Sequence, residues 1–149
     1  MPTRFQVVID CADPDRLARF WSAAIGYVIP DPPDGHATWE DFLRAAGVPE
    51  SEWGSASAVE APPDAAGPTF PRIYFQRVPE PKVVKNRVHL DLNVSGGHGV
   101  PLDERRRRVD AEVERLKVLG ASDARGAMEK DGEYWVRMQD PEGNEFCLQ

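Results

Sequence analysis

Residues 87–94 (RVHLDLNV) alternate without a break: Val88, Leu90, Leu92 and Val94 fall on one side, Arg87, His89, Asp91 and Asn93 on the other. A period of two over this length predicts a β-strand with one buried face. Bulk water would accept the polar side; so would a ligand cavity, which would give His89 a task. Residues 4–11 (RFQVVIDC) carry the same rhythm, with Phe5, Val7, Ile9 and Cys11 opposite Gln6, Val8 and Asp10. The period then changes. Asp13 suits a helix N-cap and Pro14 the first helical position. Leu17, Phe20, Trp21, Ala24 and Ile25 make one apolar stripe, and Gly26 is placed to end it. Residues 27–30 (YVIP) read as a short strand.

Residues 30–71 hold eight of the fourteen prolines, so regular sheet is not expected across most of them. One helix is expected inside, with Thr38 and Asp41 resembling a capping box, Trp39, Phe42, Leu43 and Ala46 as its stripe, and Gly47 at its end. Such a stripe would cover the core, or else roof a pocket. Residues 54–61 read as a weak strand. Residues 71–78 read as a stronger one, with Ile73 and Phe75 facing one way, Tyr74 and Gln76 the other. A proline-marked connector leads to the strand at 87–94. After a glycine loop, Val109, Val113, Leu116 and Leu119 predict the buried side of a helix over about 102–119. Residues 121–126 give a short strand or connection, 133–139 a strand, 140–143 (DPEG) a turn, and 144–149 a last strand.

A chain of 149 residues with 41% hydrophobic content fits one domain with a real core. A net charge of −7 argues against non-specific binding to nucleic acid or anionic lipid. The run Arg105 to Arg108 does not change this, because Asp103, Glu104, Asp110, Glu112 and Glu114 dilute it to a solvated face. No apolar run approaches the roughly 20 residues of a membrane span, and the first residues lack a signal-peptide pattern. Cys11 and Cys147 are the two cysteines and form no CxxC pair, so a zinc ribbon is excluded and a cytoplasmic protein with free thiols is expected.

The element order is strand, helix, strand, strand, strand, given twice, and Arg4, Gln6 and Asp10 match Arg87, His89 and Asn93. A duplication of about 70–80 residues is too long for a solenoid repeat. It divides the single domain into a first module, 4–80, carrying the Pro-rich insertion at 31–70, and a second, 86–149. With "DP..LARFW...IG" in the first helix, "VPEPKVVKNRVHLDL" and "DPEGNEFCL", the chain resembles the vicinal oxygen chelate superfamily, and within it the small glyoxalase-like and bleomycin-resistance-like proteins common in actinobacteria.

The resemblance implies an α+β fold of two βαβββ modules, each curling its sheet into a half-barrel. It implies a cavity lined by Gln6, Tyr74, Gln76, His89, Asp91 and Cys147, with Trp39 and Trp53 placed to stack on a flat ligand, although each tryptophan taken singly also suits a core. Gln6 and His89 match two ligand positions of the metal-dependent members. Those members carry a last-strand carboxylate where this chain has Cys147. Glu145 stands two residues earlier, about 7 Å along a strand, which is far for a ligand bond of about 2.0–2.2 Å. The implied metal set of Gln6, His89 and Cys147 is therefore incomplete. The balance falls against a functional divalent metal, with His89 instead a wall histidine bonded to Asp91, although a Cys–His pair can hold zinc. A Cys147–His89 nucleophile and base pair lacks local support, since a strand thiol has no helix N-terminus to activate it.

Three readings follow: a metal-dependent lyase, isomerase or dioxygenase, a binding protein of the bleomycin-resistance type without catalysis, and an interaction module with a vestigial cavity. The favoured expectation is a small-molecule ligand, with no nucleic acid and no membrane partner. The resemblance adds a homodimer.

Overall fold

The computed structural model describes residues 1–65 and 70–149; the part of the insertion at 66–69 lies outside them. The described chain is α+β, with three α-helices and two open sheets, in two compact units, Met1–Pro81 and Lys82–Gln149.

In the first unit, β1 (Val7–Cys11) leads into α1 (Pro14–Ile25). The Asp13 carboxylate accepts the Arg16 N–H at 3.1 Å, and Gly26 leaves the helix at φ 72°. The predicted stripe is the buried one: Leu17 and Ala18 are fully enclosed, with Phe20, Trp21 and Ala24 nearly so. Each large apolar side chain removed from water here contributes about 1.5–3 kcal/mol. The helix packs on β2 (Ala56–Val59) and β3 (Ile73–Arg77), whose Val59, Ile73 and Phe75 are buried. β1 runs parallel to β3, β2 antiparallel to it, and one bridge, Val28 to Glu60, continues beyond β2. The strand expected at 27–30 is reduced to that bridge, and the one expected at 4–11 starts only at Val7. β3 begins at Ile73, so residues 4–6 have no ladder to join, and Phe5 is 72% exposed.

The insertion helix α2 (Trp39–Ala45) starts as expected, with Thr38 Oγ1 accepting the Asp41 N–H at 3.1 Å. It does not cover the core: none of its residues is buried. Its aromatics meet each other instead, Phe42 standing edge-on to both His36 and Trp39. Asp41 pairs with Arg44, so only half of the capping box forms.

In the second unit, β4 (Asp91–Leu92), α3 (Leu102–Leu119), β5 (Ser122–Lys130), β6 (Glu133–Gln139) and β7 (Glu145–Leu148) give the sheet order β4-β7-β6-β5, with β4 parallel to β7. Val109, Val113 and Leu116 bury against Val136, Met138, Phe146 and Leu148, while Leu119, expected inside, is 37% exposed as Gly120 turns the chain away at φ 113°. The strand expected over 87–94 is shorter. Bonds to β7 run from Leu90 O to Val94 N, and Val88 is 80% exposed. Asn86 Nδ2 donates to the Glu145 carbonyl and the Asn86 N–H to its carboxylate, so side-chain bonds replace the ladder at this end. β5 is longer than expected: an irregularity at Asp123–Gly126 hides its alternation, and Asp131-Gly132, both at positive φ, close it onto β6 as a tight hairpin.

Both units share one connectivity. The first strand lies parallel to the last, then come the third and the second, which in the first unit is the single Val28 bridge.

Candidate functional site

One face of the second sheet is closed by α3. On the other, alternation and register assemble a polar surface. Asp91 stands opposite Cys147 across the parallel β4–β7 pair, and Arg137 stands opposite Cys147 across β6–β7. Asp91, Cys147 and Arg137 thus form one row across three strands. His89, two residues before Asp91, turns to the same side. Its Nε2 lies 3.4 Å from Asp91 Oδ1, and the donor atoms of His89, Asp91 and Cys147 all lie within 4.8 Å of one another. His89 and Asp91 are exposed, Cys147 buried. Burial, then the Asp91 carboxylate, push the Cys147 thiol above its ordinary value, against the opposing pull of Arg137. The free protein therefore holds a neutral thiol at pH 7, which weakens the nucleophile reading.

The neighbouring rows behave differently. Glu145 is held by Lys82 at 3.2 Å and by the Asn86 N–H at 3.0 Å. Burial raises its carboxyl, but these hydrogen bonds and the Lys82 charge more than compensate, leaving it below the usual value. Lys82 is thus committed to Glu145 and is not a free basic group. In the row beyond Cys147, Gln149 Nε2 donates to Asn93 Oδ1 at 3.0 Å. A pocket of about 500 Å³ opens there, lined by Glu133 and Trp135 of β6, by Asn93 and Gln149 just past the ends of β4 and β7, and by Ser95, His98 and Arg105. Its loop wall depends on Gly96, at φ 90° and pressed against Arg108, where a side chain would collide. Arg108 bonds the Ser95 carbonyl from below at 3.2 Å. Arg105 anchors the rim through the Val100 and Gly132 carbonyls.

The turn before β7 sets this register. Asp140 is 2% exposed and accepts the Glu142 N–H, the Asn144 N–H and the Asn144 amide. The motif DPEGN is therefore a buried carboxylate staple that aims β7.

The other expected site residues lie in the first unit. Gln6 is exposed and accepts from Arg72 at 3.2 Å; the same guanidinium stands 5.5 Å over the Tyr74 ring. Tyr74 and Gln76 share the sheet face opposite Ile73 and Phe75. Trp39 and Trp53 donate to the Pro30 and Val48 carbonyls, both at 2.8 Å, and Arg44 lies over Trp53, so both indole N–H groups hold the insertion together. The structure thus brings together His89, Asp91 and Cys147. The pocket residues Asn93, His98 and Arg105 carried no motif, whereas Trp135 was legible as a candidate cavity wall; Asn93 was legible only as the next polar step after Asp91. The arginine run is spent on carboxylates, Arg106 on Glu129 and Asp103, Arg107 and Arg108 on Glu104, which they hold down to about 2. Among the described residues no helix is long and apolar enough to cross a membrane.

The profile of the glyoxalase-like domain matches residues 6–149. None of the curated proteins matches the sequence. Among solved structures, a glyoxalase/bleomycin resistance protein/dioxygenase family enzyme from Burkholderia phytofirmans PsJN aligns at TM-score 0.58 and 15% identity, over 96% of this chain and 94% of that one. A variant of the fosfomycin resistance protein FosX from Listeria monocytogenes, in complex with Mn(II) and 1S,2S-dihydroxypropylphosphonic acid, aligns at 0.58 and 12%, over 100% and 90%. TioX from Micromonospora sp. ML1 aligns at 0.51 and 15%, over 99% and 97%. At these identities the likeness is one of fold.

Proposed function

The chain belongs to the glyoxalase-like domain family, and from that premise we propose that it binds a small organic molecule on the polar face of its second sheet. The observation that carries this reading is the pocket of about 500 Å³ beside the Asp91–Cys147–Arg137 row. Its size falls within the range of about 300–1,000 Å³ typical of small-molecule sites. Trp135 offers an aromatic wall. Asn93 and Gln149 spend one amide bond on each other, which leaves the Asn93 N–H groups and the Gln149 carbonyl to read a polar ligand edge. These groups support binding, which the bleomycin-resistance type performs with no catalysis. Lyase or dioxygenase chemistry would require, in addition, a metal on this face.

The test is a thermal-shift screen of flat aromatic and cationic compounds, followed by titration with the hits. A ligand at a hundred times its dissociation constant adds about 2.7 kcal/mol of stability. Hits that raise the melting temperature of the wild type but not of Trp135→Leu or Asn93→Leu support the pocket. An empty screen, or hits that stabilise both variants as strongly as the wild type, contradicts it.

A further inference from the structure

We propose that His89, Asp91 and Cys147 form a site for a thiophilic divalent cation of the zinc, cobalt(II) or nickel(II) class, held entirely by the second unit. This goes beyond the ligand-binding reading and stands without it. The donor set is one imidazole nitrogen, one carboxylate oxygen and one sulfur, with all donor atoms within 4.8 Å of one another. Ligand bonds of about 2.0–2.3 Å put tetrahedral neighbours roughly 3.3–3.8 Å apart. The 3.4 Å between His89 Nε2 and Asp91 Oδ1 already meets that spacing. The sulfur needs at most a small side-chain adjustment. Asp91 is the third ligand that the expected set lacked. It is supplied by the strand register that sets it opposite Cys147, and the site requires neither Gln6, which is bonded to Arg72, nor Glu145, which is bonded to Lys82 and Asn86.

The charges balance. A carboxylate and a thiolate offset a dication, and the Cys147 proton leaves to solvent as the metal–sulfur bond forms. Arg137, opposite Cys147, is the cation nearest in the row; placed to donate to the sulfur, it acts as an outer-sphere partner that holds the thiolate in position. His89 and Asp91 keep the entry open, with side chains 37% and 44% exposed. Three protein donors leave a fourth position for water or ligand. Nitrogen and sulfur donors select against hard ions, so Mn(II) and Mg(II) bind most weakly here.

The test is anaerobic titration of reduced, chelator-treated full-length protein with CoCl2. One equivalent is expected to bind, with a sulfur-to-cobalt charge-transfer band and tetrahedral d–d absorption. Cys147→Ser abolishes the charge-transfer band. His89→Gln and Asp91→Asn each weaken binding by more than about tenfold, since even outer-sphere changes cost about that much. Both side chains are exposed, so these variants fold. Cys11→Ser keeps the full spectrum; Cys11 and Cys147 being the two cysteines, this assigns the band to Cys147 even if Cys147→Ser does not fold. The proposal is overturned by saturation without a charge-transfer band, by a band that follows Cys11, or by binding indifferent to both His89→Gln and Asp91→Asn.

Discussion

Counted from the matched Arg4 and Arg87, the two units place different chemistry on one scaffold. In the second, a row across three strands reads Asp91, Cys147, Arg137. In the first, the corresponding row reads Val8, Tyr74, Ala58. On the reverse faces the two sheets agree: Ile73 and Phe75 take the places of Phe146 and Leu148, and all four are buried. The difference teaches that the fold is carried by the helix-facing side, which both halves keep. The other side differs: an ionisable row in one half stands against an apolar and aromatic row in the other.

The comparison breaks most readily in the cores. Phe75→Ala and Leu148→Ala, at equivalent positions, are each expected to cost about 2–5 kcal/mol in chemical denaturation. A loss confined to one of them would refute the equivalence. Next comes the staple before β7 in the second unit. Asp140→Ala strands the Glu142 and Asn144 N–H groups and is expected to cost about 1.5–3 kcal/mol. It also weakens cobalt binding, because β7 then loses its aim at Asp91. Unchanged metal affinity in a destabilised Asp140→Ala would separate the turn from the site.

The insertion belongs to the first unit alone. Since no residue of α2 is fully buried, Thr38→Ala costs about 1 kcal/mol locally, expected as a roughly fivefold faster protease cut in α2 with the global melt unmoved. A shifted global melt would mean that α2 does cover core. The smallest effect concerns how the helices are tied down. α1 is held by aromatic burial, whereas α3 adds a polar tether, Tyr134 to Asp110 at 2.6 Å. Burial, then Asp110, push Tyr134 up to about 12. An unfolded tyrosine titrates near 10, so this contribution is complete below about pH 10 and is lost as pH rises through about 12. Melting followed from pH 9 to 12 should fall less steeply in Tyr134→Phe than in wild type.

Much of the scaffold was legible because it rests on local rules. The Asp13 cap, the Leu17–Trp21 stripe and Gly26 fix α1 within a few neighbouring residues. Alternation also showed that His89, Asp91 and Asn93 share a face. It could not show that Asp91 meets Cys147, because parallel register is set by the whole β4–β7 pairing and by the Asp140 turn. Nor could it show that Val88 lies outside the strand, since Asn86 diverts the chain by a bond to distant Glu145. The pocket was hidden for a similar reason. Its wall is a glycine loop fastened by Arg105 and Arg108, residues that read in the sequence as a plain charged face.

The central claim, that chemistry belongs to the second sheet's polar face, is tested most directly by NMR chemical-shift mapping of isotope-labelled protein on addition of one equivalent of ZnCl2. The account predicts that the largest shifts fall on residues 89–93, 135–139 and 145–149. Largest shifts at 6–10, 74–76 or the insertion helix, or no shifts at all, would contradict it.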